Sequence, residues 1–110
     1  MQVATVIAPQ CSSAIGTALT AVGGYTPPAS TGYLISSLIV ANTSGAQILV
    51  TVTLYNGTTD FNLSFQTPVG VGDSLPFPDL RITLVNGWNI RVKSSVAASC
   101  DATMTGTQFT

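Results

Sequence analysis

Apolar and polar residues alternate in short runs along this chain, and Gly, Pro and Asn cut the runs at close intervals. The clearest run is Gln47 to Tyr55, with Ile48, Val50, Val52 and Leu54 on one face and Thr51 and Thr53 on the other. A period of two is what a strand with one buried face requires, because successive side chains point to opposite sides of the sheet. Tyr33 to Ala41 predicts the strand before it, with Asn42-Thr43-Ser44-Gly45 as the connecting turn. Asn56-Gly57 predicts a type I′ turn, after which Phe61, Leu63 and Phe65 alternate together and return as a hairpin partner.

The flanks read less sharply. Val3 to Ala8 predicts a first strand ended by Pro9, and Ser12 to Val22 a weak one (Ile15, Thr17, Leu19) closed by Gly23-Gly24. Tyr25-Thr26-Pro27-Pro28-Ala29-Ser30 predicts an extended arm, since tandem prolines cannot donate to a strand ladder. Pro68 to Pro78 predicts a loop with Leu75 and Phe77 as apolar anchors. Leu80, Ile82 and Leu84 alternate next. Trp88, Ile90 and Val92 then oppose Asn89, Arg91 and Lys93, and Ala102, Met104 and Gly106 oppose the row Thr103, Thr105 and Thr107. Such a Thr row suits a solvated or interface-facing sheet. Trp88 is expected in the core, with an interface aromatic as the alternative.

No helical period is sustained, so about eight short strands with close turns predict an all-β, single-domain antiparallel β-sandwich, jelly-roll or Ig-like Greek key, with a closed barrel as the alternative. The division expected is N-terminal strands and a Pro-rich arm over 1–31 and the sandwich core over 32–110, one domain overall. A chain of 110 residues has room for one core and can fold without metal or cofactor.

Charge changes the picture most. Charged residues are 6 % of the chain, against about 25 % in ordinary domains. The cations are Arg81, Arg91 and Lys93, and the anions Asp60, Asp73, Asp79 and Asp101. Ser, Thr, Asn and Gly take the place of charge, giving a surface that loses water at low cost and that is expected to be covered in the working state. A net charge of −1 removes the attraction on which nucleic-acid binding rests, so no nucleic-acid partner is expected. The apolar stretches Leu38–Ala41 and Ile48–Val50 are far too short to cross a membrane. Met1-Gln2-Val3-Ala4-Thr5 has neither a basic leader nor a long apolar core, so no signal peptide and synthesis in the host cytoplasm are expected.

Candidate chemistry is sparse. With no His, Ser-His-Asp and Cys-His nucleophilic sites cannot be built. The four Asp residues stand at turns or strand starts, no Asp-x-Asp-x-Asp calcium spacing occurs, and Gly70-Val71-Gly72 lacks the Lys and the helix of a phosphate loop. No catalytic residue, cofactor or metal is therefore expected. Cys11 and Cys100 allow either a disulfide between the first segment and the last strand or two thiols in a reducing compartment. The triplets at Asn42, Asn56 and Asn62 would be glycan acceptors in a secreted chain and are otherwise chance in a Thr-rich one.

Three stretches then stand in an informative order: Ile39–Gly45 running into Val50–Leu54, Pro68–Leu75, and Leu84–Lys93 with its Asn86-Gly87-Trp88 turn. Over residues 33–110 this order resembles small β-sandwich structural proteins of tailed bacteriophages. Trp88-Asn89 departs from it where an acidic residue usually follows the Gly, and the segment through Pro27-Pro28 has no counterpart. The resemblance implies a virion component on the capsid surface: a decoration or cement protein that binds the major capsid protein and itself, as a dimer or trimer. The expected contact residues are Gln2, Val3, Thr5, Tyr25, Pro27, Pro28 and Tyr33. A tail, fibre or head–tail joining subunit is the second reading. A secreted carbohydrate-binding sandwich, using Tyr25, Tyr33 and Tyr55, is the third.

Overall fold

The computed structural model describes residues 3–110. Ten strands form two antiparallel sheets around one core. In chain order they are β1 (Ala4–Val6), β2 (Gln10–Ile15), β3 (Thr20–Ala21), β4 (Gly32–Asn42), β5 (Ile48–Tyr55), β6 (Asp60–Val69), β7 (Ser74–Phe77), β8 (Ile82–Leu84), β9 (Asn89–Ser94) and β10 (Cys100–Phe109). The larger sheet runs β1-β10-β4-β7, with β2 also paired to β10 and β8 also paired to β4; the smaller runs β3-β9-β5-β6. Only β1–β2, β5–β6 and β7–β8 are joined within a sheet, so the chain repeatedly crosses from one layer to the other.

The core is what the alternation foretells. Ile48, Val50 and Val52 of β5, Ile90 and Val92 of β9, and Ala102 and Met104 of β10 are buried against Tyr33, Ile35, Leu38 and Val40 of β4. Strand β4 departs from a simple period of two. Tyr33 and Ile35 point inward at odd positions, Leu38 and Val40 at even ones, and the register against β10 shifts between Thr105 and Gly106. Ser36 is the extra residue of a β-bulge, which returns both apolar pairs to the same side. Gly106 makes this fit: a Cβ there would stand 2.3 Å from the Leu34 carbonyl oxygen and 2.8 Å from the Tyr33 ring.

Several local expectations change. The β5–β6 hairpin forms, but its turn is a four-residue loop with Tyr55 opposite Asp60. Asn56 does not take the positive φ that type I′ demands; its Oδ1 instead accepts the backbone N–H groups of Thr58 and Thr59. Phe61 and Phe65 are exposed, because β6 is the edge of its sheet and two register shifts twist it out of line. The Pro68–Pro78 segment contains strand β7, held by pairing with β4, with Leu75 and Phe77 packed on the core as expected. Trp88 is half-buried at the core margin.

Asn42 shows why its triplet is structural. It is 6 % exposed; its Nδ2 donates to the carbonyls of Ala46, Val69 and Gly70, while its Oδ1 accepts from Ser44. That one amide ties the β4–β5 turn to the end of β6.

Candidate functional site: two outer faces

Residues directly opposite one another in neighbouring antiparallel strands share a face. On the outside of the larger sheet this rule assembles two rows. Val6 lies opposite Thr107, Thr107 opposite Leu34, and Leu34 opposite Thr83. Farther along the strands, Cys11 lies opposite Thr103, Thr103 opposite Ile39, and Ile39 opposite Pro76. Val6, Leu34 and Ile39 are 85 %, 41 % and 45 % exposed. Between the rows Ser37 and Thr105 hydrogen-bond to each other at 2.7 Å. The rows carry no charge. Asp101 stands at their end, and its Oδ1 accepts the Ala14 N–H at 2.9 Å.

The outside of the smaller sheet is built differently. Here Asn89 faces Tyr55, Arg91 faces Thr53, and Lys93 faces Thr51. Arg91 lies over the Tyr55 ring at 4.3 Å and within 3.4 Å of Asp60, whose Oδ1 accepts the Thr53 hydroxyl at 2.7 Å. The Thr51 Oγ1 accepts the Gln66 N–H. Long polar side chains thus cover their own sheet, leaving Thr51 and Thr53 3 % and 2 % exposed.

The structure separates the residues expected at a contact surface. Gln2 lies outside the described residues. Val3 is exposed at the sheet edge and exchanges backbone hydrogen bonds with Thr110; Thr5, also exposed, pairs with Gln108 in β10. Pro28 is exposed, but Pro27 is buried and its carbonyl accepts the Asn86 amide at 2.9 Å. Tyr33 is wholly buried, which corrects its assignment to an interface: the Ser36 bulge turns it inward over Gly106. Tyr25 packs on it with ring centroids 4.9 Å apart and donates its hydroxyl to Gln108 at 2.8 Å. Burial pushes both phenols above the usual tyrosine range, and for Tyr33 the neighbouring Tyr25 adds to it. The segment after Gly24 is therefore packed down as a cover over the core end. With β2 paired to β10 and β3 to β9, residues 10–21 are stitched into both sheets.

The two cysteines are not joined. Cys11 lies opposite Thr103 and faces outward, whereas Cys100 lies opposite Ile15 and is buried, so the side chains sit on different sides of the sheet. Burial, with the Asp101 carboxylate adding to it, pushes the Cys100 thiol up to about 11. The remaining acidic residues stand in turns and loops. Asp79 pairs with Arg81 at 2.9 Å in the β7–β8 loop, and Asp73 donates its N–H to Gly70 in the turn before β7. Among the described residues no group of three metal-binding side chains converges.

The aliphatic members of the larger sheet's outer face were missed by alternation alone. Their signal lay in Leu38-Ile39-Val40-Ala41, because an unbroken apolar run in an antiparallel strand makes both faces apolar.

No profile of a known protein family matches the chain, and no curated protein matches it. Among solved structures it is similar to a chain in the structure of infectious bursal disease virus, Gx strain, with a TM-score of 0.51 and 12 % identity, over 99 % of this chain and 32 % of that one. A pentameric capsid protein isolated from metagenomic phage sequences aligns with a TM-score of 0.41 and 23 % identity, over 94 % of this chain and 62 % of that one. This chain thus spans about a third of the length of the infectious bursal disease virus chain it matches. By fold, it is a single-domain, two-sheet β-sandwich of a kind that also occurs in a virus structure.

Proposed function

We propose that this protein is a structural component of a virus particle, of the decoration or cement type that binds the head lattice of a bacteriophage as a small oligomer. The observation that supports this most is the outer face of the larger sheet: rows of Thr and aliphatic side chains without charge, on a chain with seven charged residues in all. Such a face loses little on desolvation, and a protein repeated many times on a lattice gains from avidity what each weak contact lacks. The fold likeness to a chain of infectious bursal disease virus is consistent with this setting. The partners on this reading are the major capsid protein and further copies of this chain, with no catalytic step.

Particle contact is assigned to the N-terminal edge, Val3 and Thr5 included. Strand β1 contributes no buried side chain, and Ile7 beyond it is only partly buried against the core, so the segment can be lost without removing a fully buried residue. Deleting residues 1–8 should leave a folded protein that no longer binds particles; unchanged binding would remove the edge from the proposal.

Quantitative mass spectrometry of purified particles, scaled to the major capsid protein, tests the whole reading. A capsid-like ratio supports the decoration role. A ratio near that of a tail ring moves the chain to the tail or neck, and absence from particles rejects a virion role.

A further inference from the structure

We infer that the outer face of the larger sheet is where two copies of this chain pack together, face to face. The inference deepens the oligomer part of the proposed function and rests on that reading only for its biological setting. Three observations select a second copy as the occupant.

The first is charge. A face that meets its own copy about a two-fold axis sets residues near the axis against themselves, so charge of one sign at its centre would meet like charge. The rows Val6–Thr107–Leu34–Thr83 and Cys11–Thr103–Ile39–Pro76 carry none, and the charges that border the face, Asp101 and the Asp79–Arg81 pair beside Leu34, stand at its edges. The other sheet's outer face carries Arg91 and Lys93 against the Asp60 carboxylate, and that positive excess would oppose its own copy.

The second is that the polar groups of the face suit a copy of itself. Ser37 and Thr105 hydrogen-bond to each other at its centre, and the remaining row hydroxyls, Thr83, Thr103 and Thr107, are each both donor and acceptor, so they can pair with the same groups of a second copy. Leu34 and Ile39, by contrast, stay open to solvent on the central strand β4.

The third is size. Four strands at about 4.8 Å spacing, over about 25 Å of strand length, give roughly 500 Å² per copy, or about 1,000 Å² for a pair. That is the lower bound for a specific interface, so the dimer should be weak.

Sedimentation of the isolated full chain over a concentration series provides the test, with L34K/I39K as the disrupting variant and L49K as the control. Leu49 is 38 % exposed on the other sheet, so the control adds the same kind of charge at a comparably exposed site. The wild type and L49K should show a monomer–dimer equilibrium, and L34K/I39K should weaken it at least tenfold. A second readout needs no variant. Cys11 belongs to the face while Cys100 is buried, so thiol labelling of the native protein should slow as concentration rises. A wild type that stays monomeric at about 1 mM, a dimer unchanged by L34K/I39K, or one lost in L49K would overturn the inference, as would labelling independent of concentration in a dimeric sample. The proposed function fails by a different measurement: a chain that dimerises through this face yet is absent from particles keeps the inference and loses the virion reading. A monomer found in particles does the reverse.

Discussion

Leu34 and Ile39 on the outside of one sheet are 41 % and 45 % exposed, whereas Thr51 and Thr53 on the outside of the other are 3 % and 2 % exposed. The residue types would suggest the opposite, since the aliphatic pair is the more hydrophobic. The difference arises from what each strand has beside it. Strand β5 is flanked by the long side chains of Arg91 and Lys93 on β9, and on the β6 side the Asp60 carboxylate accepts the Thr53 hydroxyl while the Gln66 backbone N–H donates to Thr51. Strand β4 is flanked by Thr103 and Thr107 of β10 and by Pro76 and Thr83, which are too short to reach across. One face is closed by its own side chains; the other is left for something else to close.

The sharpest way to break this contrast is at Gly106, where the bulge that gives the larger sheet its two sides is held. Gly106→Ala should cost at least about 3 kcal/mol in denaturant unfolding, because its Cβ would meet the Leu34 carbonyl as well as the Tyr33 ring and backbone cannot move aside cheaply. A cost below about 1 kcal/mol would mean the bulge relaxes freely. Next come two adjacent residues of β4. Leu38 is wholly buried, and Leu38→Ala should lose about 3 kcal/mol. Ile39→Ala, one position on, should lose about 0.5 kcal/mol at a concentration where the protein is monomeric. Equal costs would mean that the outer face packs against some part of its own chain.

On the smaller sheet, Arg91→Ala removes both the Tyr55 stacking and the Asp60 contact and should cost about 1 kcal/mol. It should also make Thr53 more accessible, measured as faster amide exchange along β5. The gentlest probe is pH. The folded protein holds the Cys100 thiol at about 11, above its value in an open chain. The fold therefore favours the protonated form. Its contribution is intact at neutral pH and is lost as pH rises from about 8.5 towards 11. Tyr25 and Tyr33, both shifted upward, steepen the loss at the alkaline end. Replacing Cys100 with Ala should flatten the alkaline fall of the unfolding midpoint, whereas replacing Cys11, which faces water, should not.

Much of the fold was open to a reading of residue order. The inward set Ile48, Val50 and Val52 and the Ala102–Met104 side of β10 lie where alternation put them, and the β5–β6 pairing follows from Leu54 and Phe61 standing opposite across a short polar loop. Both sets are local: a period of two depends only on strand geometry, and the residues themselves carry it. The outward Thr row of β10 was equally legible and now forms part of the candidate surface.

What the tertiary structure alone decided is where a residue's surroundings lie far along the chain. Tyr33 reads as an exposed aromatic until the Ser36 bulge turns it onto Gly106, 73 positions later in the chain. Pro27 reads as part of a free arm until Asn86 holds its carbonyl. Cys11 and Cys100 read as potential partners until pairing sets one opposite Thr103 and the other opposite Ile15. The bare face was out of reach for the same reason: Val6, Leu34, Ile39 and Pro76 come onto one face only once β1, β10, β4 and β7 are laid side by side. Local periodicity tells which way a side chain points; which other side chains stand next to it is set by sheet register, and register is fixed by the packing of the whole core.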